Sequence, residues 1–300
     1  MALMPVEEAR TRILAHAKPL APENVPLAQA LGRALAKPLN AKRDQPPFNS
    51  SAMDGYALRS GDTMTEFKVI GTSAAGHAFN GKLKPGQAVR IFTGAPVPTT
   101  ADAVVIQENT SVTGKSVTIL QAARPGQNIR LRGLDFRKGE TLFPAAIRLN
   151  ARDIGLAAAM NCHIISVRRK PVVAVIATGD ELVLPGAKPR PDQIVSSNSN
   201  ALAALVESFG ATVINGGIVR DDLRATERAI LKMAKADIIV TTGGASVGDH
   251  DFVQEALKNA GVKIDFWKIA MRPGKPFMYG RKGQQQVLGL PGNPVSALVC

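Results

Sequence analysis

The stretch ADIIVTTGGASVGDHDFVQEALKNAG (residues 236–261) decides the fold. Its opening run, 236–242, is apolar and β-branched and predicts a buried strand. The run DFVQEALKNA (251–260), which ends at Gly261, predicts a helix. Buried strands that alternate with helices of this length are typical of βαβ units around a parallel sheet.

The same alternation extends on both sides of this stretch. The predicted strands are VVAVIA (172–177) and ATVIN (211–215), followed by VKIDFWKI (262–269), PFMYG (276–280) and QQVLGL (285–290). The predicted helices are NALAALVESF (200–209) and LRATERAILKMAK (223–235), with Asp222 as a natural N-cap of the second. Residues 171–300 are therefore predicted to form an open α/β domain.

The upstream half of the chain has a different character. Helices are predicted over residues 5–17, from Pro26 to Leu35, and after Asn150, whereas residues 45–145 contain short β-branched runs separated by turns. Those runs are 67–70, 88–92, 103–107 and 116–120. The expected fold is a multidomain α/β plus β protein, in which residues 1–44 and 146–170 form a split helical domain around an inserted small β domain.

The composition limits the kinds of ligand and site that this protein is expected to have. The 37 basic and 24 acidic residues give a net charge of +13, which favours an anionic partner, whereas an aromatic content of 4% leaves no stacking platform for single-stranded nucleic acid. Two cysteines make neither a disulfide framework nor a Cys-based metal site, and the four histidines lack metal-ligand spacing. No apolar run reaches the ~18 residues of a membrane span, and acids stand where a signal peptide would be basic and apolar. A cytoplasmic location is expected.

Ligands of open α/β sheets bind beyond the carboxyl ends of the strands. Each predicted strand end carries a glycine or proline turn, an acid, a base or a hydroxyl, as at Glu181, Asp221 and the loop 290–296 with Pro291 and Pro294. The turn after 236–242 contains Gly243, Gly244, Ser246 and Gly248, whose backbone can approach an anion, and then Asp251.

Cations and acids at such an edge suit a phosphorylated ligand with a divalent metal. Lys268, Arg272 and Lys275 can make charge-assisted bonds to phosphate, and the aspartates offer the hard oxygens that Mg²⁺ prefers. Each feature alone also has a structural interpretation: a connecting turn, a helix cap, or a lysine that snorkels from a strand. What favours a site is that all five ends are predicted on one side.

Two stretches of the β domain carry further candidates. Asp54 lies among small residues in SAMDGYAL (51–58), and Thr93 ends a strand in RIFTGAPVP (90–98). Taken alone, each is also compatible with a turn or a strand end.

Seven segments in order resemble the molybdopterin molybdenumtransferase family. They are SAMDGYAL (51–58), RIFTGAPVP with DAVVIQE (90–108), NIRLRGLD (128–135), ATGDEL (177–182), VTTGGASVGDHDF (240–252), FWKIAMRPGKP (266–276) and LPGNPVSA (290–297). The chain also resembles the C-terminal region of the synaptic protein gephyrin. The related molybdopterin adenylyltransferases share the TGGxSxG segment but lack the first two.

The resemblance implies insertion of molybdate into adenylyl-molybdopterin, with Mg²⁺ required and AMP released. It implies a homodimer whose site lies between the α/β domain of one subunit and the β domain of the other, and it makes the adenylyltransferase a candidate partner. The resemblance implies a catalytic role for Asp54, Thr93, Glu181, Asp221 and Asp251. Of these five, it implies that all except Thr93 are also metal ligands. It implies that the following residues bind the cofactor: Gly243, Gly244, Ser246, Gly248, Lys268, Arg272, Lys275, Pro291 and Pro294. Asp135 is a further candidate.

Three departures and two alternatives accompany the resemblance. Arg272 stands where the family commonly has a lysine. Leu134 replaces a neighbour of Asp135 that is often acidic in the family. Family chains continue beyond LPGNPVSA into a further β domain, which this sequence is expected to lack. An adenylyltransferase would add AMP to its product instead of metal. A non-catalytic molybdopterin-binding scaffold would need no acids, so the intact set favours an enzyme.

Overall fold

A computed structural model of the chain describes residues 3–243 and 252–300. The chain forms two compact units. The α/β unit joins residues 1–23 to residues 168–300, and the β unit spans residues 24–167. In the described part of the chain, no helix has the length and apolar character needed to cross a bilayer.

The helices are α1 (Val6–Leu14), α2 (Ala151–Ala159), α3 (Asn198–Ser208), α4 (Leu223–Lys232), α5 (Phe252–Asn259) and α6 (Pro294–Val299), with 3-10 turns at Leu27–Gln29 and Gln107–Asn109. The strands up to residue 168 are β1 (Pro22–Pro26), β2 (Leu39–Asn40), β3 (Ser50–Ser51), β4 (Gly55–Leu58), β5 (Glu66–Ser73), β6 (Gln87–Ile91), β7 (Ala103–Ile106), β8 (Thr110–Thr113), β9 (Ser116–Ile119), β10 (Ile129–Arg130), β11 (Thr141–Phe143) and β12 (Ile164–Arg168). The remaining strands are β13 (Val172–Thr178), β14 (Leu182–Val183), β15 (Ile194–Val195), β16 (Thr212–Val219), β17 (Ile238–Thr242), β18 (Lys263–Trp267), β19 (Met278–Lys282) and β20 (Gln285–Leu290).

The α/β unit is built on a six-stranded sheet with the order β16-β13-β17-β20-β19-β18. The pairs from β16 to β20 are parallel, whereas β19 is antiparallel to both β20 and β18. Strand β18 therefore runs in the same direction as β13, β16, β17 and β20. The carboxyl ends of these five strands meet at one edge, called here the carboxyl edge, and the predicted α/β fold is confirmed.

Helices cover both faces of this sheet. Ala174 and Ile176 of β13 lie in one hydrophobic core with α4 and α5, whereas Val173 and Val175 lie in the other with α1, α3 and α6. Alternate residues of a strand point to opposite faces, which is why β13 must be apolar throughout. Each Val or Ile buried in this way stabilises the fold by about 1.5–3 kcal/mol.

The β unit contains a sheet of the order β7-β4-β6-β5-β9-β8 and a separate core. That core joins residues 25–41 to residues 136–167 through side chains such as Leu35, Phe136, Phe143 and Met160. The division into 1–44 with 146–170, 45–145 and 171–300 remains a prediction of finer domains. The compact units group residues 1–23 with the α/β sheet, because α1 contributes Ala9 to one of its cores.

Two of the predicted helix caps are confirmed and one predicted helix is wrong. Asn150 caps α2 in a capping box, and the Asp222 carboxylate accepts from the Ala225 N–H at the start of α4. The helix predicted from Pro26 to Leu35 is only a 3-10 turn. Gly32 adopts a φ of +74° there, and Leu35 forms an extended bridge with Val167, which buries Leu35 without a helix.

A salt bridge secures the amino-terminal edge of the α/β sheet. The Asp237 carboxylate accepts from both terminal nitrogens of Arg169, at 2.7 and 2.6 Å, and from the Val172 N–H at 2.8 Å. The Arg169 bonds and then the Val172 N–H hold the pKa of Asp237 below the ordinary carboxyl value, against the opposing effect of partial burial. This network therefore makes stability depend on pH.

We predict that Asp237→Asn destabilises the α/β unit by about 1–2 kcal/mol at pH 7. A depressed carboxyl pKa stabilises the fold above the unfolded pKa, and this contribution disappears as pH falls through the folded pKa. The difference from wild type should therefore shrink below about pH 4. Urea unfolding followed by the fluorescence of Trp267, the one tryptophan of the chain, measures it.

Asp192→Asn is the matched control, because the Asp192–Arg190 pair is exposed to 71% and 67%. Its effect on the free energy of unfolding should be near zero. Equal losses in the two variants, or an Asp237→Asn effect that persists unchanged in acid, would contradict the prediction.

Candidate functional site

The ends of β13, β17 and β20 line a small open pocket at the carboxyl edge, with a volume of about 80 Å³. Three of the predicted residues, Gly243, Glu181 and Pro294, line it. Other lining side chains were not predicted from the sequence: Thr178, Ser196, Ser197, Asn198 and Thr242. The pocket therefore lies where the strand-end argument placed it, but its polar lining is richer.

Asn198 is the main contributor that sequence reasoning missed. Its side-chain amide donates to Thr242 Oγ1 at 2.9 Å and to the Gly292 carbonyl at 2.8 Å, and Thr242 Oγ1 donates to the Pro291 carbonyl at 3.3 Å. These bonds fix the Pro291–Pro294 loop against the end of β17. The only signal in the sequence is the polar run SSNSN (196–200) at the start of a helix.

A buried hydroxyl beside the pocket has no hydrogen-bond partner among the described residues. Within the described residues, Thr178 Oγ1 is buried and has no hydrogen-bond partner. Unpaired buried polar atoms cost free energy, and native structures keep few of them. Thr178 also lines the pocket, so this unpaired hydroxyl lies beside the space that a ligand would occupy.

Gly243 has a structural role at the pocket. Its N–H already donates to the Leu290 carbonyl at 3.3 Å, so it is not a free donor for an anion. It has a φ of +90°, and a Cβ at this position would clash with the Thr178 carbonyl oxygen. Gly243 is therefore required for the close approach of β17 to the end of β13.

The acids that follow β13 and β16 are neighbours. The Asp221 N–H donates to Asp180 Oδ1 at 3.3 Å, so the turns after these two adjacent strands touch. Glu181 lines the pocket beside them, and Gly179, with a φ of +150°, leaves room for its carboxylate to fold back. The predicted acids Glu181 and Asp221 thus lie on the same side of the carboxyl edge.

The predicted cations lie at the other side. Lys268, Arg272 and Lys275 follow β18, which is separated from β16 by five strand spacings, or about 24 Å. The strand order, which the sequence did not reveal, therefore places the strand that leads into the cations at the opposite end of the sheet from β16. That one ligand contacts both groups stays a prediction.

Lys268 is more than a snorkelling strand residue. Its φ is +97°, a conformation that side-chain-bearing residues rarely adopt, and its ammonium lies 5.5 Å from the centroid of the Trp267 ring. The Lys268 N–H donates to the Phe277 carbonyl and the Ile269 N–H to the Lys275 carbonyl, which holds the segment between the cations in a tight loop. Unusual backbone conformations of this kind are frequent at functional sites.

The remaining predicted residues of this edge lie outside the described part of the chain. They are Gly244, Ser246, Gly248 and Asp251. Among the described residues, no group of three or more His, Cys, Asp or Glu side chains is arranged to hold a metal ion. Any metal bound by the described acids therefore needs further ligands.

In the β unit, the two predicted residues are in contact. Asp54 Oδ1 accepts from both the N–H and the Oγ1 of Thr93, each at 2.7 Å. These two bonds, the hydroxyl first and then the N–H, lower the pKa of Asp54, and the charge of Arg90 adds to the effect. Asp54 is therefore ionised at neutral pH. The other candidate of this unit, Asp135, is paired with Arg130 at 3.1 Å.

A second groove lies at the amino-terminal edge of the α/β sheet. Lys18, Lys235 and Lys282 line it together with the Arg169–Asp237 pair. It carries positive charge, but the salt bridge already occupies its arginine. The carboxyl edge is the better candidate because it has acids, a free hydroxyl and glycine-dependent close packing together.

Comparisons with known proteins agree with this assignment of the two units. The MoeA_N family, described as the MoeA N-terminal region (domain I and II), matches residues 4–161, and the MoCF_biosynth family, a probable molybdopterin binding domain, matches residues 174–300. Together these regions contain every described candidate residue.

Similar proteins extend over nearly the whole chain. The chain is 43% identical to the molybdopterin molybdenumtransferase of Nostoc sp. over 92% of its own length, and it spans 66% of that protein. It is 36% identical to the molybdopterin molybdenumtransferase of Haemophilus influenzae over 99% of its own length, and it spans 74% of that protein. The crystal structure of the molybdopterin biosynthesis moeA protein from Pyrococcus horikoshii matches with a TM-score of 0.84 and 31% identity, over 99% of this chain and 76% of that chain. The chain therefore belongs to the molybdopterin molybdenumtransferase family of molybdenum cofactor biosynthesis.

Proposed function

We propose that this protein inserts molybdate into adenylyl-molybdopterin and releases AMP. The observation that carries the proposal is the convergence of Glu181, the unpaired Thr178 hydroxyl and the Pro291–Pro294 loop on one pocket at the carboxyl edge of a sheet that matches the molybdopterin-binding family. Ligands of open α/β folds bind at this edge. The polar side chains of the pocket suit the hydrogen-bonding edge of a pterin.

The acids that suit Mg²⁺ are those after β13 and β16. Asp180, Glu181 and Asp221 present hard oxygen donors on touching turns, and Mg²⁺ usually takes one or two carboxylates and completes its shell with phosphate and water. This donor chemistry fits Mg²⁺, although the described residues form no complete cage. When bound, Mg²⁺ would neutralise phosphate charge. Asp251 is proposed as a further ligand on the sequence alone.

The cations have a separate task. Lys268, Arg272 and Lys275 are proposed to bind the phosphate groups of the substrate and so fix its position along the edge. Their distance from the acids matches an elongated substrate that carries a pterin at one end and a nucleotide at the other. Gly244, Ser246 and Gly248, which follow β17, are proposed to approach the same phosphates through their backbone.

Asp54 and Thr93 are proposed to handle the metal oxyanion. The Thr93 hydroxyl donates its proton to Asp54 Oδ1, so its oxygen lone pairs face outward while the carboxylate remains ionised. We propose that Asp54 also serves as a ligand of a bound cation that accompanies molybdate. This assignment rests on the contact between the two residues and on the family resemblance.

Assembly and location are proposed on the resemblance alone. We propose a homodimer in which each site uses the α/β unit of one subunit and the β unit of the other, with the molybdopterin adenylyltransferase as the enzyme that delivers the substrate. We propose a cytoplasmic location because the similar proteins are enzymes of metabolism. Light scattering of the purified protein tests the dimer directly.

The decisive test of the function is incubation with adenylyl-molybdopterin, molybdate and Mg²⁺. The proposal expects equimolar AMP release and protein-dependent incorporation of molybdenum into the pterin. Formation of adenylyl-molybdopterin from ATP and molybdopterin, without metal gain, would identify an adenylyltransferase instead. Binding of the pterin without turnover in either assay would identify a scaffold.

We predict that Glu181→Gln and Asp221→Asn each abolish molybdenum insertion without unfolding the protein. The substitutions remove the charge that holds Mg²⁺ but keep side-chain volume, so the thermal midpoint should stay within a few degrees, corresponding to about 1 kcal/mol. Insertion rates and melting curves measure the two effects.

Glu207→Gln, on the exposed surface of α3, is the matched control and should retain full activity. A fully active Glu181→Gln or Asp221→Asn enzyme would remove that residue from the site.

We predict that Lys275→Ala weakens the binding of adenylyl-molybdopterin by about 1.5–3 kcal/mol, some ten- to a hundredfold, because one charge-assisted phosphate bond is lost. The affinity of the wild type should also fall with added salt more steeply than that of the variant. Titration calorimetry at two ionic strengths measures both effects. The control is Lys258→Ala, at an exposed position of α5. An equal loss of affinity in both variants would mean that the effect comes from overall charge.

A further inference from the structure

Arg90 of β6 is held more tightly than its place on a surface strand requires. Its guanidinium carbon lies 5.1 Å from the centroid of the Tyr56 ring and 4.9 Å from that of the Phe92 ring. The strand pairing places Tyr56 directly opposite Arg90, and Phe92 follows two residues along the chain. Two aromatic rings thus fix the plane of the guanidinium.

The nitrogens of the same guanidinium are hydrogen-bonded to Gly55, the residue after Asp54, and to Gln107. One terminal nitrogen donates to the Gly55 carbonyl at 3.0 Å, and the other donates to Gln107 Oε1 at 2.7 Å. The Gln107 N–H in turn donates to the Asp54 carbonyl at 3.1 Å. Arg90 therefore holds the Gly55 carbonyl directly and the Asp54 carbonyl through Gln107.

Arg90 also connects to Thr93 along the chain. Its stacking on Phe92 fixes the residue immediately before Thr93, whose N–H and hydroxyl both donate to Asp54 Oδ1. In the described part of the chain, no hydrogen bond reaches Asp54 Oδ2. The cluster thus aims one carboxylate oxygen at Thr93 and leaves the other open to a ligand.

We propose that Arg90 is the positioning residue of the Asp54–Thr93 pair, which keeps Oδ1 on Thr93 and Oδ2 free for the oxyanion site. The inference rests on the proposed function of Asp54 and Thr93, and it adds a residue that acts through them. Arginine is required because a planar, two-pronged donor can stack on rings and bond two acceptors at once. Lysine keeps the charge but cannot do both.

The difference between charge and geometry gives a sharp test. In Arg90→Lys the positive charge remains, so a purely electrostatic role predicts that the Thr93 N–H keeps its hydrogen bond to Asp54 Oδ1 unchanged. A positioning role predicts that this bond loosens, so the amide proton of Thr93 resonates further upfield and exchanges faster with solvent. Amide NMR of the full chain at neutral pH, with the Thr93 resonance assigned by Thr93→Ser, measures both properties.

Turnover supplies the second measurement. Insertion by Arg90→Lys should show a kcat at least about tenfold lower with a nearly unchanged KM for adenylyl-molybdopterin, because small displacements of catalytic groups cost rate. Arg90→Met should lose more of both properties. Arg124→Lys, on an exposed loop of the same unit, should match wild type in the Thr93 amide resonance and in turnover.

The outcomes separate the two proposals. If wild type inserts no molybdenum, the proposed function fails, but the Thr93 amide resonance still tests the role of Arg90. If Arg90→Lys keeps this resonance and turns over like wild type, or if it lowers only the thermal midpoint, Arg90 is structural and the inference is overturned. If Arg90→Met does not fold, Arg90→Lys alone decides.

Discussion

The pocket at the carboxyl edge depends on the burial of the α/β sheet on both faces. Residues of β13 alternate between two hydrophobic cores, so the strand can carry no functional polar group along its length. Polar chemistry is therefore confined to the places where strands stop. Because β13, β16, β17, β18 and β20 run in one direction, five such places share one edge. The pocket at this edge follows from the packing of the sheet.

The sequence predicted those features that depend on local patterns. The apolar runs became strands, the caps at Asn150 and Asp222 formed, and the described residues that follow β13, β16, β18 and β20 lie at the expected edge. The helix predicted from Pro26 failed because its apolar spacing is also satisfied by extended segments that bridge to distant residues. Periodicity alone cannot distinguish these two ways of burying the same side chains.

The sequence did not predict features that depend on contacts between distant residues. Asn198 bonds to residues 44 and 94 positions away, so its role is visible only when three strand ends are brought together. The separation of Lys268, Arg272 and Lys275 from the acids follows from strand order, in which β19 stands between β20 and β18. Arg90 was missed because an arginine in a short strand ordinarily indicates an exposed surface, and only its stacking on Tyr56 and Phe92 distinguishes it.

The central claim, that the carboxyl edge binds the pterin substrate, is tested most directly by hydrogen–deuterium exchange with and without adenylyl-molybdopterin. The account predicts slower exchange in peptides that cover residues 178–183, 194–199 and 290–296, which line or support the pocket. Peptides 16–21 and 282–286, which line the groove at the opposite edge, should exchange as before. Protection confined to that groove, with none at the carboxyl edge, would contradict the account.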